Sequence, residues 1–296
     1  MKPVNFDYAR PNSVAAACAL LAADADARLI AGGQTLIPML AMRLSRPTLL
    51  VDILRVPELN GIREKHSGLE IGATTRHVEV ETSALVRKHV PLLARAMPWV
   101  GHPAIRARGT IGGSLAHGDP AAEVPLVAVT LGAQILYEDA EGPKSMPINE
   151  FYLAPTLTAL PAAACLTGVR FAAPVAGRRG CGFHEVSARR SDFAIVAAAA
   201  EVVLDPDDIC IAVSAGIGGA GDTPVRLHSL AEALVGSKLT DRVLGEAARA
   251  AVADLDTADD LHASAAYRKR VAAVLAERAL RDARDEAMQA SSGRRG

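Results

Sequence analysis

Apolar positions recur over roughly the first 175 residues in short runs of two kinds. Runs with helical spacing predict helices, and short β-branched runs predict strands. The predicted helices cover about 13–23, 36–44, 84–89, 92–99 and 120–131. The predicted strands cover about 28–31, 48–53, 61–62, 69–73 and 134–137. Ser13 or Asn12 directly precedes the first apolar run and is suited to cap the first helix.

The pattern changes after residues 174–180, which are rich in Pro, Gly and Arg and are typical of a linker. Before it, the proline-interrupted stretch 143–161 is expected to form a loop. Beyond it, three apolar runs with short turns predict an antiparallel meander over 183–187, 195–204 and 209–214. Three helices are predicted near 229–235, 240–254 and 264–288.

These elements together predict an α+β fold in two domains. The first covers residues 1–176, with subdomains of about 1–55 and 56–176. The second covers residues 177–288 and consists of a sheet followed by helices. Residues 289–296 are expected to form a disordered tail.

Composition and charge exclude several classes of function. The 32 Lys and Arg residues nearly cancel the 33 Asp and Glu residues, and only 3% of the chain is aromatic, which argues against a nucleic-acid binder. No apolar run reaches the ~18 residues of a membrane span, and the N-terminus lacks the apolar core of a signal peptide. The four cysteines, at 18, 165, 181 and 210, form no CxxC pair, so an iron–sulfur cluster or structural zinc site is not expected in this chain. Scattered thiols fit a cytoplasmic protein.

A first glycine motif, residues 31–38, follows a predicted strand and precedes a predicted helix. Gly32 and Gly33 allow a tight turn and a close approach of the backbone to a ligand. The N–H groups of Gly33, Gln34 and Thr35 then lie at a helix start, where a pyrophosphate can bind. A plain strand–turn–helix junction without a ligand explains the same pattern.

A second glycine motif, residues 106–123, has three glycines within five residues and resembles the first in chemistry. Thr110 and Ser114 add hydroxyl groups to what is expected to be another close-approach loop. Asp119 is placed either to cap a helix beginning at Pro120 or to contact a ligand. Glu123, one turn further, would suit the hydroxyl groups of a ribityl or ribose moiety.

Other sequence patterns are better explained by structural roles than by ligand or metal binding. Residues 216–221 match GxGxxG, but no helix follows directly, so a turn or bulge is the preferred interpretation. The histidines show no metal-ligand spacing. Residues 189–192 are expected to form a surface ion pair rather than an anion site, and residues 267–270 an exposed helical face. Phe193, considered alone, is expected in the core.

The two glycine motifs and Ile71–Thr75, in this order, resemble the FAD-binding medium subunits of molybdenum hydroxylases, the family of xanthine dehydrogenase and aerobic carbon monoxide dehydrogenase. Residues 189–194, 218–226 and 267–270 are similar to that family's second domain. The resemblance implies a two-part FAD-binding domain of the vanillyl-alcohol-oxidase (PCMH-like) type, followed by a small C-terminal flavoprotein domain. It also implies FAD that is bound without a covalent link.

The resemblance also carries over site residues by position. The main FAD contacts are expected from Ala31, Gly32, Gly33, Gln34, Thr35 and Leu36 and from Thr110, Ile111, Gly112, Gly113 and Ser114. Secondary contacts are expected from Thr75, Asp119, Glu123, Leu166 and His184, and Phe193 is expected to lie against the isoalloxazine ring. Many family members have asparagine in place of Ser114, so this hydrogen bond is expected to be weaker or water-mediated. No catalytic acid, base or metal ligand is assigned to the chain.

The family implies a division of labour among three subunits. A large subunit holds the molybdopterin and hydroxylates the substrate, and a small subunit with two 2Fe–2S clusters passes electrons to the FAD, which reduces an external acceptor. The expected assembly is a cytoplasmic dimer of heterotrimers that binds neither nucleic acid nor membrane. A self-contained FAD-dependent oxidase or reductase and a non-enzymatic nucleotide-binding assembly protein are the alternatives.

Overall fold

The computed structural model describes residues 2–290. Its first unit is a three-stranded parallel sheet in the order β1-β3-β2. The elements in chain order are β1 (Asp7–Ala9), α1 (Val14–Ala23), β2 (Arg28–Ile30), α2 (Leu36–Ala41) and β3 (Leu49–Asp52). Helix α1 connects two parallel strands, as a crossover between parallel strands requires.

The predicted cap of α1 is confirmed, because Ser13 Oγ accepts a hydrogen bond from Ala16 N at 3.2 Å. The buried side of α1 includes Ala17 and Leu21, which pack with Val51 of β3 in a small core. The same core includes Cys165 from the second unit, so the first unit packs against its neighbour, and the turn between β2 and α2 lies at one end of its sheet.

The second unit is built around a five-stranded antiparallel sheet in the order β4-β5-β10-β6-β7. Its strands are β4 (Ile62–Lys65), β5 (Gly68–Gly72), β6 (Gln134–Asp139), β7 (Gly142–Pro147), β8 (Tyr152–Ala154), β9 (Leu157–Thr158) and β10 (Cys165–Ala172). Its helices are α3 (His77–Thr82), α4 (Ala84–His89), α5 (Pro91–Ala96), α6 (Pro103–Arg106), α7 (Ile111–His117) and α8 (Glu123–Thr130). Strands β8 and β9 form a separate hairpin.

The third unit is a four-stranded antiparallel meander covered by helices, as predicted. Its strands are β11 (Arg178–Ser187), β12 (Ala194–Leu204), β13 (Cys210–Gly218) and β14 (Val225–Arg226). Its helices are α9 (Ser229–Leu234), α10 (Asp241–Ala253) and α11 (Ala265–Gln289).

The two faces of this sheet pack against different partners. On one face, Gly180 and Gly182 allow α11 to approach so closely that a Cβ at Gly182 would overlap the carbonyl oxygen of Ala279. On the other face, Phe183 enters the core of the second unit, with its ring centroid 6.0 Å from that of Trp99. The sheet of the third unit thus has the core that it shares with α11 on one face. On its other face lies its interface with the second unit, which we call the seam.

Four sequence-based expectations about elements are wrong. The second glycine motif contains the helix α7 instead of a loop, and the following helix begins at Glu123, not at residue 120. The stretch 143–161 contains β7, β8 and β9 instead of a continuous loop, because its prolines lie at strand ends and turns. Helix α11 includes Gln289 from the expected tail, and residues 291–296 lie outside the described residues.

Within residues 2–290, no helix combines the length and apolar character that a membrane crossing demands.

Candidate functional site: a cleft beside two glycine motifs

The first glycine motif forms a tight turn between β2 and α2. Gly33 has φ +69°, in the left-handed region that favours glycine. The main-chain N–H groups of Gly33, Gln34 and Thr35 donate to no acceptor among the described residues, while Gln34 Nε2 donates to Gly32 O at 3.0 Å. Three consecutive unpaired N–H groups in a turn form a concave set of donors that suits an anion such as a phosphate.

The N–H groups of the second glycine motif are used differently, because they lie in the first turn of α7. Ile111 N donates to Thr75 O at 3.1 Å, and Gly112 N donates to Ala73 O at 2.8 Å. An ideal Cβ at Gly112 would lie 2.5 Å from the Cβ of Ala73, so this glycine is needed for helix packing. The second motif is therefore a helix rather than the expected close-approach loop, and these contacts fix α7 against the end of β5.

The next positions of α7 are open to solvent. Thr110 Oγ1 caps the helix by accepting from Gly113 N at 3.2 Å. Gly113 is exposed, and an ideal Cβ there would meet only Thr110 Oγ1, at 2.8 Å. The hydroxyl of Ser114 makes no hydrogen bond to a described residue. Gly113 and Ser114 thus offer a surface without a side-chain obstacle and with a free hydroxyl.

The two glycine motifs lie directly against each other. A Cβ at Gly32 would overlap Arg108 O and lie 2.9 Å from the Cα of Gly109. Arg76 holds the same segment by donating to Arg108 O, and His77 N donates to Gly109 O at 3.0 Å. The His77 ring is buried, and burial lowers its pKa to about 4, so it is neutral. The structure therefore joins the two motifs that the sequence suggests as one site.

Helix α7 leads from the glycine motifs to a cleft at the seam. Its seven residues rise about 10 Å, and the helix ends at Gly118, with φ +65°. The seam cleft that follows has a volume of about 390 Å³. It is lined by residues of both the second and third units: Asp119, Pro120, Ala121, Pro155, Ala188, Asp192, Phe193, Ala194, Ile195, Gly219, Ala220, Gly221, Asp222, Ala258, Asp260, His262 and Arg268.

Asp119 lines this cleft but caps no helix. Its Oδ1 accepts from Ala121 N at 2.9 Å, which closes a turn before α8. Helix α8 begins at Glu123 after Ala122, whose side chain has no capping oxygen. The capping interpretation of Asp119 is therefore wrong, and its side chain is placed at the cleft.

The GxGxxG segment is a structural turn, as expected, and an arginine fixes it. Gly219 has φ +72°, and its N–H donates to Pro120 O at 2.8 Å, which joins the third unit to the second. Arg268 Nη1 donates to Gly219 O and, at 2.6 Å, to Ile195 O, while Nη2 pairs with Asp260 Oδ2 at 2.5 Å. Arg268 is only 5% exposed, so the expectation of an exposed helical face is wrong at this position.

The remaining predicted residues fall in three places. Phe193 is 72% exposed at the rim of the seam cleft, which excludes the core position expected from its residue type alone. Leu166 is buried in the core of the second unit. His184 lies on the α11 face of β11, where its Nε2 is 2.9 Å from Asp282 Oδ2, and is not brought to the glycine motifs. The expected surface ion pair forms between Arg189 and Asp192, at 3.3 Å.

Thr75 and Glu123 lie behind the second glycine motif. Thr75 is buried, and its hydroxyl accepts from Gly61 N at 2.9 Å and donates to Gly61 O at 3.2 Å. Glu123 is 8% exposed at the start of α8, and burial raises the pKa of its carboxyl to about 7. Across the seam, burial and the neighbouring Glu123 raise the pKa of Glu185 to about 8. Sequence reasoning missed Glu185 and Arg268, since no local pattern marks a charged residue as buried.

Two protein-family models match this chain. The model described as the FAD binding domain in molybdopterin dehydrogenase matches residues 4–174. The model described as the CO dehydrogenase flavoprotein C-terminal domain matches residues 182–283. Together they cover the two glycine motifs and the seam cleft.

Curated relatives and solved structures agree with these matches. The chain is 40% identical over 281 residues to the 6-hydroxypseudooxynicotine dehydrogenase complex subunit alpha of Paenarthrobacter nicotinovorans, with 95% of both chains covered. It is 34% identical over 281 residues to the carbon monoxide dehydrogenase medium chain of Hydrogenophaga pseudoflava, covering 95% of this chain and 97% of that one. It resembles the solved structure of quinoline 2-oxidoreductase from Pseudomonas putida 86 with a TM-score of 0.92 and 34% identity, covering 97% of this chain and 100% of that chain.

Proposed function

The chain belongs to the family of FAD-binding medium subunits of molybdenum hydroxylases, and from this premise we propose that it is the electron-transfer subunit of a three-subunit oxidoreductase. In this role it holds FAD non-covalently and passes electrons from a partner's iron–sulfur clusters to an external acceptor. The observation that carries the proposal is the contact between the two glycine motifs at Gly32 and Arg108. This contact forms one cradle beside a cleft that both units line.

The residues at the first glycine motif fit the pyrophosphate of FAD. The unpaired N–H groups of Gly33, Gln34 and Thr35 supply donors, and the open surface at Gly113 leaves room for a phosphate beside the Ser114 hydroxyl. Thr75 acts indirectly in this assignment, since its hydroxyl is held by Gly61 and its carbonyl holds α7.

The seam cleft is suited to the isoalloxazine ring. Phe193 at its rim offers an exposed aromatic face, and the buried Arg268 keeps the opposite wall fixed through Gly219 and Asp260. A flavin held there would supply one-electron and two-electron redox chemistry. The chain's own residues bind it, orient it and exclude water from its buried side.

The partner subunits are assigned from the cysteine residues of this chain. Its four cysteines are isolated in sequence, and all four are free and buried. We therefore assign the 2Fe–2S clusters to a small subunit and the molybdopterin to a large one, in a cytoplasmic dimer of heterotrimers. The substrate site lies on the large subunit in this assignment.

The domain division belongs to the same proposal. Residues 1–176 form the FAD-binding domain, with subdomains of about 1–55 and 56–176, and residues 177–288 form the C-terminal flavoprotein domain. The support is the short connection between β10 and β11 and the position of the two family matches on either side of it.

An anaerobic reduction experiment tests this function. The isolated chain is reconstituted with FAD and followed at the flavin absorption band, beside the complex that a tagged chain retrieves from its own cells. Dithionite should bleach both samples. Carbon monoxide, nicotine and a purine are then tried as reductants, and any that bleaches the complex should leave the isolated chain oxidised. Reduction of the isolated chain at the same rate would establish a self-contained flavoenzyme instead. A chain that takes up no FAD would contradict the proposal altogether.

A further inference from the structure

The mouth of the seam cleft is surrounded by large apolar side chains that lie open to solvent. Phe193 lines the cleft and is 72% exposed. Leu261 is fully exposed in the loop between α10 and α11, and both its chain neighbours line the cleft. From the second unit, the exposed Leu153 and Leu157 flank the lining residue Pro155 in the β8–β9 hairpin. Three separate segments thus place apolar groups around one opening, which is typical of a surface that another protein covers.

The lining of the same cleft is acidic. Four aspartates contribute to it, namely Asp119, Asp192, Asp222 and Asp260. Asp260 pairs with Arg268 at 2.5 Å. Asp192 pairs with Arg189 at 3.3 Å, on the exposed surface. The other two aspartates form no ion pair with a described residue. The cleft lining therefore carries more negative than positive charge.

The loop between α10 and α11 extends this acidic surface. It carries Asp256 and Asp259, which are exposed and form no ion pair within the described part of the chain. Asp256 lies at the mouth, because its carbonyl oxygen would be 2.6 Å from a Cβ at the lining residue Gly221. Arg190 is exposed beside this surface, where the aspartates outnumber it. The mouth thus combines exposed apolar groups with an excess of carboxylates.

This mouth does not suit a nicotinamide dinucleotide as the electron acceptor. Carboxylates repel a pyrophosphate, and the arginine that lines the cleft, Arg268, is already held by Asp260 and by two carbonyl oxygens. The GxGxxG turn beside it is not a second pyrophosphate site, because the N–H of Gly219 donates to Pro120 O and no helix follows directly. An acceptor with phosphate groups is therefore disfavoured at this opening.

Resting on the proposed function, which places the isoalloxazine in this cleft, we propose that the mouth is the docking site of a basic, one-electron redox protein that oxidises the reduced cofactor. Its positive side chains face the aspartates, and the apolar centre of its contact surface covers Phe193 and Leu261. Complexes between redox proteins are small and weak, and opposite charges mainly raise their association rate. Two acceptor molecules each take one electron from FADH2, which returns to FAD as its two protons pass to water.

The test uses mitochondrial cytochrome c, a basic haem protein, as the probe. Calorimetric titrations are made with the FAD-loaded full-length chain and with the complex that a tagged chain retrieves from its own cells. Both should bind cytochrome c at about 10 mM ionic strength and at least 10-fold more weakly at about 0.5 M, because salt screens exposed charges. Succinylated cytochrome c, whose lysines are converted to carboxylates, should not bind, and neither should NAD+.

Paired substitutions locate the docking site. Asp256→Lys changes the charge at the mouth by two units, which across about 6 Å of water should weaken binding about 10-fold at low salt. Asp207→Lys is the matched control, since Asp207 is an exposed aspartate in the turn after β12, about 30 Å along that strand from the cleft. Leu261→Ser removes a contact and should weaken binding about 10-fold, with the exposed Leu44→Ser in the first unit as its control.

A kinetic measurement connects docking to electron transfer. The flavin of each variant is reduced with one equivalent of dithionite under anaerobic conditions and mixed with cytochrome c, and haem reduction is followed by absorbance. At limiting cytochrome c and low salt, the rate should fall about 10-fold in Asp256→Lys and Leu261→Ser. It should stay at the wild-type value in Asp207→Lys and Leu44→Ser. FAD content and the Tm should be the same in all four variants, because all four side chains are exposed.

Several results would overturn the inference while leaving the proposed function in place. The first is no binding of cytochrome c, or equal binding of its native and succinylated forms. The second is binding that neither Asp256→Lys nor Leu261→Ser weakens relative to its control. The third is binding by the isolated chain but not by the complex, which would assign the mouth to the iron–sulfur subunit. Failure of the chain to take up FAD would instead refute the proposed function.

Discussion

The substitution Gly113→Val separates cofactor binding from folding more sharply than any other change in the glycine motifs. An ideal Cβ at this exposed position meets only Thr110 Oγ1, at 2.8 Å, whereas one at Gly112 would overlap Ala73. Weakening the Thr110 cap costs about 1 kcal/mol. Replacing glycine by valine in a helix returns a few tenths of a kcal/mol. The net change in the free energy of unfolding should stay below about 1 kcal/mol, or a Tm shift of about 2–4 °C.

The effect on FAD should be much larger. If a phosphate lies against Gly113, the valine side chain occupies its place and pushes it away from the N–H donors of Gly33 and Gln34. Losing two hydrogen bonds to a charged group, each worth about 1.5–3 kcal/mol, weakens binding by at least 100-fold. Flavin fluorescence titration measures the Kd, and Ala250→Val on the exposed side of α10 controls for the added volume. A Gly113→Val chain with unchanged Tm and unchanged Kd for FAD would refute this placement of the cofactor.

The remaining predictions concern the seam and the buried groups. Gly219→Ala should lower the Tm by several degrees in the apo chain, because the residue has φ +72° and its Cβ would lie 2.9 Å from Ile195 O; an unchanged Tm by calorimetry would contradict this. Phe193→Ala should change the free energy of unfolding by less than about 0.5 kcal/mol, since the ring is exposed, and should shift the flavin absorption spectrum while FAD stoichiometry stays constant. The four buried cysteines should resist iodoacetamide at pH 8 in the native chain and react after unfolding, as burial raises the pKa of Cys165 to about 12. Because the pKa of Glu185 is higher in the folded chain, the wild type loses stability as the pH rises toward 8, so the Tm advantage of Glu185→Gln should grow from pH 5 to 8 and then stay constant.

Most helices and strands follow from local sequence patterns, whereas the helix at the second glycine motif depends on tertiary contacts. The cap at Ser13 and the meander of β11–β13 are confirmed because the signal lies in adjacent residues. The sequence predicts a close-approach loop at the second glycine motif because it has three glycines within five residues. Its helix is instead fixed by tertiary contacts of Ile111 and Gly112 with the end of β5, which no local pattern reveals.

The candidate site likewise contains features that the sequence predicts and features that only the tertiary structure reveals. Both glycine motifs can be recognised in the sequence alone. In the structure they meet at Gly32. The burial of Arg268 and of the carboxyl oxygens of Glu185 could not be found from the sequence, because each depends on a pairing of distant elements. Arg268 resembles its exposed neighbours on α11, and only the positions of Gly219 and Ile195 make it a buried anchor.

Cofactor binding at the glycine motifs and at the seam cleft depends on different features of the chain. The first glycine motif presents unpaired backbone donors, so its binding capacity depends on backbone shape and tolerates changes in side-chain identity at Thr35. The seam cleft depends on two units remaining in contact, as they are where Gly219 N donates to Pro120 O at 2.8 Å. Substitutions at the glycines should therefore change cofactor affinity, whereas substitutions at the seam, such as Phe193→Ala, should change how the cofactor is oriented.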